Sequence, residues 1–333
     1  MLNDFKYRLS GGKNSKFLFF AGGALSMLVP PALFRAKREA LLGSIASHPA
    51  RDDIEARAAY CCKLEPGSRP LPRPGAALPD DAPAPIRIRD HRFPEKKRAY
   101  YFDLRRDLRY FPSDWRFAAR PGDVQKVPPL PALVKTRPIA GDNANSVLLK
   151  LNSVRHFIFV QDDIPFGDKD DIAIFRGKIR LKPKRLDFFE KYFGAPGLDL
   201  GGTWQEGIER PEWAAPLTSI RDQLRHKFVF CIEGNEVSSN LKWVMSSNSI
   251  AVMPRPEFES WFLEGWLVPG VHYIEIAPDY SDLREKLAWY RAHPAECQKI
   301  IQAAHAHVAR FRDAARERLV SLLTLDRYFK ATQ

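Results

Sequence analysis

The sequence predicts an α/β fold organised around a parallel β-sheet. The main indication is residues 227–290, where short apolar runs with the length of buried strands alternate with helical segments. A chain of 333 residues is also long enough for two α/β domains, and its 45% hydrophobic content is ordinary for a folded protein. Two amphipathic helices are predicted after this stretch, over residues 294–311 and 316–328. We therefore expect two α/β domains and a helical C-terminal segment.

The central stretch has the order strand, helix, strand, strand, helix, which is typical of half of a parallel sheet. Ligands of such sheets bind outside the carboxyl ends of the strands. Gly234 follows the first of these strands, and Ser238, Ser239 and Asn240 stand near the start of the first helix. Free backbone N–H groups and the helix dipole at this point predict an anion-binding site. The predicted elements are strands at 228–232, 250–253 and 273–276 and helices at 237–245 and 282–290.

The N-terminal region is basic and carries an apolar segment. Residues 17–34 contain no charge and are flanked on both sides by lysine and arginine, while residues 1–45 hold seven basic and two acidic residues. A Gly-Gly and a Pro-Pro pair interrupt the segment. A helix lying in the interface of an anionic membrane fits this pattern best, and a core helix or a true membrane span remains open. Two further helices are predicted at 32–46 and 51–63.

The remaining regions follow from composition and apolar runs. Residues 65–96 are rich in proline and predict a linker or loop. The division we expect is 1–64 as basic amphipathic helices near a membrane, 97–165 as a first α/β domain, 166–292 as a second, ligand-binding α/β domain and 293–333 as C-terminal helices. In the first domain we expect strands at 99–102, 115–119, 133–138, 147–151 and 156–160, and in the second a strand at 172–177, a helix at 184–193, a strand at 198–200 and a helix at 217–226.

Charge and cysteine content narrow the function. The net charge of +12, from 52 basic and 40 acidic residues, favours polyanionic partners such as a membrane surface or a phosphorylated substrate. No zinc-finger or RNA-binding signature is present, so we expect no nucleic-acid partner. Cys61, Cys62, Cys231 and Cys297 form no C-x-x-C pair, which predicts free thiols in a reducing compartment. The sequence has no G-x-S-x-G, P-loop or H-E-x-x-H motif, which argues against hydrolase, NTPase and zinc-protease functions.

Five blocks in the second half carry a resemblance to a known family. They are EGNEVSSNLKW, SIAVMP, ESWF, VPGVHYIEI and YSDLREKLAWY, all between residues 233 and 290. In this order they resemble the signature of glycosyltransferase family 90, and most closely its bacterial lipopolysaccharide-core branch. The resemblance covers residues 115–290. It implies a GT-B fold, in which an acceptor-side domain (97–165) and a nucleotide-sugar-binding domain (166–292), both Rossmann-like, face a cleft and the C-terminal helices pack back on the first domain.

The same resemblance implies an inverting transfer of a sugar from a UDP-sugar to a hydroxyl of a cell-surface glycan such as lipopolysaccharide core. The block Phe175-Arg176-Gly177 matches the family's F-R-G block, whose Arg contacts the donor phosphates. Animal members carry Arg where this chain has Asn240, so Lys242 is expected to compensate for the missing charge. The donor-binding residues implied in this way are Arg176, Gly177, Gly234, Ser238, Ser239, Asn240, Lys242 and Glu259.

Glycosyl transfer also needs a base for the proton of the acceptor hydroxyl. Asp123 follows a predicted strand and lies in a segment that resembles the one carrying the family's base, so it is the first candidate. Asp142 is the reserve candidate, and a simple turn explains either residue as well. Lys135 and Arg137 lie at a strand end, where we expect them to bind an anionic acceptor or a donor phosphate.

We expect no metal and no cofactor besides the donor substrate, because no Asp-x-Asp triplet ends a strand of the second domain. The residues Asp162, Asp163 and the carboxylate-rich run 168–171, which includes Lys169, are interpreted as a solvated charged turn rather than a Mg²⁺ site. The expected location is the cytoplasmic face of the bacterial inner membrane, where the protein would be peripheral. Two other functions stay open, namely a protein O-glycosyltransferase and a non-catalytic basic protein that binds membrane or nucleic acid.

Overall fold

The computed structural model describes residues 11–203, 208 and 210–333. The first ten residues of the predicted segment 1–64 therefore lie outside the described residues. The α-helices are α1 (Lys16–Met27), α2 (Pro31–Gly43), α3 (Arg51–Cys61), α4 (Arg98–Leu108), α5 (Ser153–His156), α6 (Pro183–Tyr192), α7 (Ile220–Gln223), α8 (Leu241–Met245), α9 (Leu283–Ala292), α10 (Pro294–Ala309) and α11 (Ala314–Thr332). The strands are β1 (Ile86–Arg87), β2 (Arg116–Phe117), β3 (Ala119–Arg120), β4 (Ala132–Val134), β5 (Thr136–Pro138), β6 (Ser146–Leu148), β7 (Asp170–Gly177), β8 (Leu198–Gly202), β9 (His226–Phe230), β10 (Ile250–Met253), β11 (Phe258–Ser260) and β12 (Ile274–Glu275).

The chain forms two compact units. The first unit comprises Lys16–Val154, Phe258–Leu263 and Phe311–Gln333. The second unit comprises the segment ending at Ser15, Arg155–Glu257 and Glu264–Arg310. Each unit therefore draws on stretches that are far apart in the sequence, and the last helix, α11, belongs to the first unit.

The second unit is built on a five-stranded parallel sheet with the order β12-β10-β9-β7-β8. Counted along the chain from β7, this is the doubly wound order 2-1-3-4-5. Helix α6 connects β7 to β8 and begins with Pro183, which suits a first helical turn because its missing N–H would have no helical partner there. The predicted α/β class with parallel strands is therefore confirmed.

The core of the second unit lies between this sheet and its helices. Phe228 and Phe230 are fully buried and alternate along β9, so both point to the same face of the sheet. On that face the ring of Phe188, from α6, lies 4.8 Å from the ring of Phe230. This packing holds α6 against the carboxyl ends of β7 and β9, where ligands of such sheets bind.

The first unit contains a three-stranded parallel sheet with the order β3-β4-β6. The antiparallel pairs β1-β2 and β5-β11 complete its sheets among the described residues. Helix α11 begins at an N-cap, since the Oδ1 atom of Asp313 accepts hydrogen bonds from the N–H groups of Ala315 and Arg316 at 2.8 and 3.1 Å. Arg57 of α3 and Glu317 of α11 form a buried ion pair, so these two helices are joined by charge as well as by apolar contact.

Three predicted elements of secondary structure are wrong. Residues 99–102 form part of helix α4 rather than a strand, because Tyr100, Leu104 and Leu108 are buried at a spacing of four and so make one helical face. Of residues 156–160, the first ends the single turn α5 and 157–160 are irregular backbone. The N–H of Val160 donates to the Oγ atom of Ser246 at 2.9 Å instead of to a strand. The helix predicted at 217–226 is the single turn α7.

The apolar N-terminal segment forms α1 and α2. In the described part of the chain no single helix is long and apolar enough to cross a membrane. The pair Lys16–Met27 and Pro31–Ser47, which is bent by 99°, passes the same test of length and composition when its members are taken together.

Candidate functional site

The candidate ligand site of the second unit lies at the carboxyl ends of β7 and β9. In the order 2-1-3-4-5 these are the first and third strands. The chain runs from β7 to β8 toward one edge of the sheet and from β9 to β10 toward the other edge. The loop after β7 begins at Lys178, and the loop after β9 contains Glu233 and Gly234. Connections that diverge in this way leave a crevice between the two loops, and nucleotides bind there in doubly wound sheets.

The loop after β7 and the start of α6 are strongly basic. The ten residues from Arg176 to Arg185 include six basic residues and no acidic one. A group of cations at the carboxyl ends of parallel strands favours a ligand with several negative charges, such as a diphosphate. The six basic residues are Arg176, Lys178, Arg180, Lys182, Lys184 and Arg185.

Arg185, in the first turn of α6, joins the two loops. Its Nη1 atom donates to the carbonyl oxygen of Lys178 at 2.8 Å, and its Nη2 and Nε atoms donate to the carbonyl oxygen of Ile232 at 2.7 and 3.1 Å. Its guanidinium also lies 5.4 Å from the ring centroid of Phe175. Burial lowers the pKa of Arg185 to about 10, so the side chain still carries its charge at neutral pH.

The two glycines of the site lie against this guanidinium. A Cβ atom added at Gly234 would lie 3.4 Å from the Cζ atom of Arg185, and one added at Gly177 would lie 3.5 Å from its Nη1 atom. At Gly177 the added atom would also lie 3.2 Å from the ring of Phe175, which is closer than most real contacts. Backbone can therefore approach the cation closely in both loops. Both glycines were predicted site residues, whereas Arg185 was missed, and the run of six cations was the signal that could have found it.

Arg176, the predicted phosphate ligand, has a carboxylate partner. Its Nη2 atom donates to both carboxylate oxygens of Asp199 at 2.8 and 2.7 Å, and its Nη1 atom donates to the carbonyl oxygens of Phe175 and Asp199 at 2.9 and 3.0 Å. The carboxylate of Asp199 is about half exposed. A diphosphate that binds Arg176 would therefore compete with Asp199 or share the guanidinium with it. Among the described residues no carboxylate forms an ion pair with Arg185, whose nitrogens donate to backbone carbonyl oxygens instead.

The helix after β9 begins later than predicted, at Leu241 instead of Val237. The helix α8 has five residues, so Gly234 to Asn240 form turns, and the dipole of so short a helix is small. The side chain of Asn240 donates to the carbonyl oxygen of Phe230 at 2.9 Å, and the Oγ atom of Ser238 donates to the Oδ1 atom of Asn240 at 2.5 Å. Ser238 is buried and Ser239 is partly buried. These contacts shape the loop, so its backbone is ordered next to Arg185.

Lys242, which was expected to compensate for Asn240, is fully buried within α8. Its ammonium group pairs with the carboxylate of Glu264, which is also buried. A buried cation that already faces a carboxylate is held by a strong local interaction. This arrangement favours a structural role for Lys242 in the second unit, and its predicted contact with the donor stays a prediction.

The first unit places Asp123 and Lys135 together. They follow the adjacent parallel strands β3 and β4, whose carboxyl ends meet at one edge of the sheet. The Nζ atom of Lys135 lies 3.0 Å from the Oδ1 atom of Asp123, and Lys135 is buried while Asp123 is about half exposed. Gly122 precedes Asp123 with φ of 117°, which only glycine adopts readily. A half-exposed carboxylate held by a buried cation at the end of a strand has the geometry of an oriented proton acceptor.

The reserve candidate, Asp142, lies in an exposed turn. Its Oδ1 atom accepts the N–H of Ala144 at 3.0 Å, and Arg69 lies 3.3 Å from its Oδ2 atom. Two hydrogen bonds lower the pKa of Asp142, and the one from the N–H of Ala144 has a larger effect than the one from Arg69. The turn interpretation that the sequence left open for this residue matches these contacts.

Arg137 and Glu259 form a fully buried pair in the first unit. They lie opposite each other in the antiparallel pair β5-β11, and the Nε atom of Arg137 donates to the Oε1 atom of Glu259 at 2.8 Å. The hydroxyl of Tyr60 donates to the Oε2 atom of Glu259 at 2.7 Å, and burial together with this carboxylate raises the pKa of Tyr60. The other nitrogens of Arg137 donate to the carbonyl oxygens of Tyr60 and Ser146 at 2.8 and 3.1 Å. These contacts favour a structural role for both residues, and their predicted roles toward donor and acceptor stay predictions.

The remaining residues considered in the sequence are the four cysteines and the acidic groups. All four cysteines are free, as predicted, and all are buried. Burial raises the pKa of Cys61 to about 12 and that of Cys62 to about 11. Within residues 11–203, 208 and 210–333, no three His, Cys, Asp or Glu side chains are grouped so that they could hold a metal ion. Asp162 pairs with Lys169 at 2.7 Å and accepts the N–H of Asn248 at 2.9 Å, so it lies in a buried ion pair rather than in the predicted solvated turn.

A known bacterial protein resembles this chain over nearly its full length. Residues 149–314 match the model of the family described as glycosyl transferase family 90. The O-glucosyltransferase LpsA of Dichelobacter nodosus is 37% identical over 317 residues, which is 94% of this chain and 95% of that protein. The match therefore extends over almost the whole of both chains.

Two more distant relatives match shorter stretches. Protein O-glucosyltransferase 2 of Danio rerio is 29% identical over 85 residues, or 26% of this chain and 17% of that protein. Uncharacterized protein 027R of Frog virus 3 is 30% identical over 142 residues, or 41% of this chain and 14% of that protein. The family match and the nearly full-length bacterial relative together show that this chain belongs to glycosyltransferase family 90 and is a glycosyltransferase.

Proposed function

We propose that this enzyme transfers a sugar from a UDP-sugar to a hydroxyl group of a cell-surface glycan such as lipopolysaccharide core, with inversion at the anomeric carbon and without a metal ion. The GT-B arrangement and a place on the cytoplasmic face of the inner membrane are parts of the same proposal. The observation that carries it is the run of six cations from Arg176 to Arg185, which the doubly wound sheet holds at its switch point. Family membership supports the reaction type.

The donor diphosphate is the ligand that this site fits best. When the sugar leaves the donor, negative charge develops on the diphosphate, and fixed cations stabilise that charge without having to reorganise. Arg185 is such a cation, because three hydrogen bonds and the ring of Phe175 hold it in place. In our proposal Arg176 supplies a second positive charge. The backbone at Gly177, Gly234, Ser238, Ser239 and Asn240 forms the rest of the donor site.

Asp123 is proposed as the base. The hydroxyl of the acceptor attacks the anomeric carbon, its proton passes to the carboxylate of Asp123, and the bond from that carbon to the phosphate oxygen breaks to release UDP. One displacement of this kind inverts the anomeric carbon. Lys135, at 3.0 Å, orients the carboxylate. A positioned base of this type contributes about 10²- to 10⁴-fold to a rate.

The donor site is tested with Arg185→Gln, which removes the charge and keeps a side chain that can donate to carbonyl oxygens. Charge-assisted hydrogen bonds contribute about 1.5–3 kcal/mol, so we expect UDP to bind about 10- to 100-fold more weakly by calorimetry. The matched control is Arg284→Gln, which removes one positive charge at an exposed position of α9. Unchanged UDP affinity in a folded Arg185→Gln protein would contradict the proposed donor site.

The reaction is tested by measuring UDP release from a panel of UDP-sugars with truncated lipopolysaccharide as acceptor. UDP-glucose is the first donor to try, because the nearly full-length relative bears the name O-glucosyltransferase. We expect turnover that depends on the acceptor and is unchanged by EDTA. Loss of activity in EDTA that Mg²⁺ or Mn²⁺ restores would overturn metal independence. Turnover with peptide acceptors alone would favour protein O-glycosylation instead.

A further inference from the structure

The helices α1 and α2 and the residues that join them expose an apolar surface. Of the sixteen large hydrophobic side chains that are exposed in the described chain, seven lie within the seventeen residues 17–33, so the exposure is concentrated there. Phe17 and Leu28 are 78% and 79% exposed, which leaves these side chains almost entirely in water. Neither helix has a fully buried residue. The seven residues, here called the apolar N-terminal surface, are Phe17, Leu18, Leu25, Met27, Leu28, Val29 and Leu33.

The fold of the first unit holds this surface in place. The ring centroids of Phe19 and Phe20 lie 6.4 and 5.9 Å from that of Phe102 in α4. On α2, the ring of Phe34 lies 5.2 Å from that of Tyr110 and 3.6 Å from the guanidinium of Arg109. One side of each helix is thus anchored by aromatic contacts. The apolar N-terminal surface is what remains exposed on the two helices.

The charges around this surface decide what covers it. Residues 16–43 contain four basic side chains and one acidic side chain, a net charge of +3 (4 minus 1). The basic residues lie at both ends of the uncharged run, as in helices that lie flat in an anionic lipid interface. A second copy of the chain would bring the same cations against each other. The residues counted are Lys16, Arg35, Lys37, Arg38 and Glu39.

We propose that the apolar N-terminal surface docks on an anionic lipid bilayer, with the bend at 28–30 entering the boundary between headgroups and acyl chains. The two helices meet at 99°, and Leu28 and Val29 at the bend are exposed, as are Lys16 and Lys37. The exposed apolar side chains, with basic residues on both sides of the uncharged run, suit helices that lie on the membrane surface. This inference rests on the membrane location in the proposed function and specifies the surface that binds, but it does not depend on the proposed reaction.

The test is flotation of the full-length protein with vesicles of neutral phosphatidylcholine, with or without 30% anionic phosphatidylglycerol. We expect binding to the anionic vesicles that weakens in 0.5 M NaCl. Leu28→Asp should lower the partition coefficient by about tenfold or more, because the variant lacks the leucine that the bilayer would bury. Leu217→Asp is the matched control, because Leu217 is 78% exposed but lies in the second unit. Lys16→Gln and Lys37→Gln should each lower the partition coefficient onto anionic vesicles about fivefold.

The following results would overturn the proposal. If the protein does not float with anionic vesicles, or if Leu28→Asp and Leu217→Asp reduce flotation equally, the surface is not a membrane site. If sedimentation shows a dimer that Leu28→Asp dissociates while flotation is unchanged, the surface is an interface between copies. Because Leu28 is exposed, the variant should keep the far-UV circular dichroism of the wild type, and UDP affinity should be unchanged as a check of folding.

Discussion

Replacing Glu259 with glutamine should lower the free energy of unfolding of the first unit without weakening donor binding. The carboxylate is fully buried and accepts hydrogen bonds from the Nε atom of Arg137 at 2.8 Å and from the hydroxyl of Tyr60 at 2.7 Å. Both hydrogen bonds have an ionised partner, and each such bond contributes about 1.5–3 kcal/mol. Glu259→Gln removes the negative charge and leaves a buried guanidinium without a counter-ion. We therefore expect a loss of about 3–5 kcal/mol in the free energy of unfolding.

The measurement is urea unfolding followed by tryptophan fluorescence, with UDP affinity measured separately on the folded protein. Glu55→Gln is the control, since Glu55 pairs with Arg51 at 2.8 Å on the exposed surface of the same unit and such pairs contribute less than about 1 kcal/mol. The double variant Arg137→Met with Glu259→Leu should lose at least about 2 kcal/mol less than the sum of the single losses, because it leaves no unpaired charge.

Weaker UDP binding without a loss of stability would refute this reasoning. If Glu259→Gln unfolds at the same urea concentration as the wild type but binds UDP tenfold more weakly, the residue contacts the donor as the family resemblance implied. Additive losses in the double variant would likewise show that the two charges do not depend on each other.

Three more predictions follow from buried or oriented groups. Lys242→Met should lower the free energy of unfolding by about 3–5 kcal/mol, since it removes the ammonium group from a buried ion pair with Glu264. The UDP affinity of the folded fraction should stay within twofold, and a large loss of affinity would give Lys242 a role in the donor site. Asp123→Asn should lower kcat by about 10²-fold or more with unchanged UDP affinity, and the same loss in Asp142→Asn instead would move the base to that residue. Burial, together with a nearby arginine, lowers the pKa of His91 to about 4, so the folded state binds its proton only at low pH. The unfolding free energy should therefore fall as the pH drops from about 6.5 to 4, by about 2 kcal/mol more in the wild type than in His91→Phe, and equal pH profiles would contradict this.

The sequence alone predicted those parts of the molecule that depend on local pattern. The apolar runs of the second unit became parallel strands because a buried strand in such a sheet is apolar on both faces. The predicted helices at 184–193 and 294–311 begin at or next to prolines that suit a first turn, and the structure has helices there. The ordered blocks also identified the family, and the nearly full-length relative confirmed it.

Local pattern was less reliable where strand and helix share a composition. Residues 99–102 are aromatic and apolar, as in a strand, yet their burial follows the four-residue spacing of α4. The helix expected at 237–245 shortens to α8, because the side chains of Ser238 and Asn240 bond within the loop and to the end of β9. Serine and asparagine compete with helical hydrogen bonds in this way.

Only the tertiary structure decided which charges are buried and which remain available to a ligand. Lys242 and Glu264 are 22 residues apart in sequence, and Arg137 and Glu259 are 122 apart, so no local pattern could pair them. A sequence shows the charge of a side chain but not the desolvation or the partner that sets its role. Arg185 illustrates the opposite case, because the winding of the sheet places it between two loops that the sequence separates by about fifty residues.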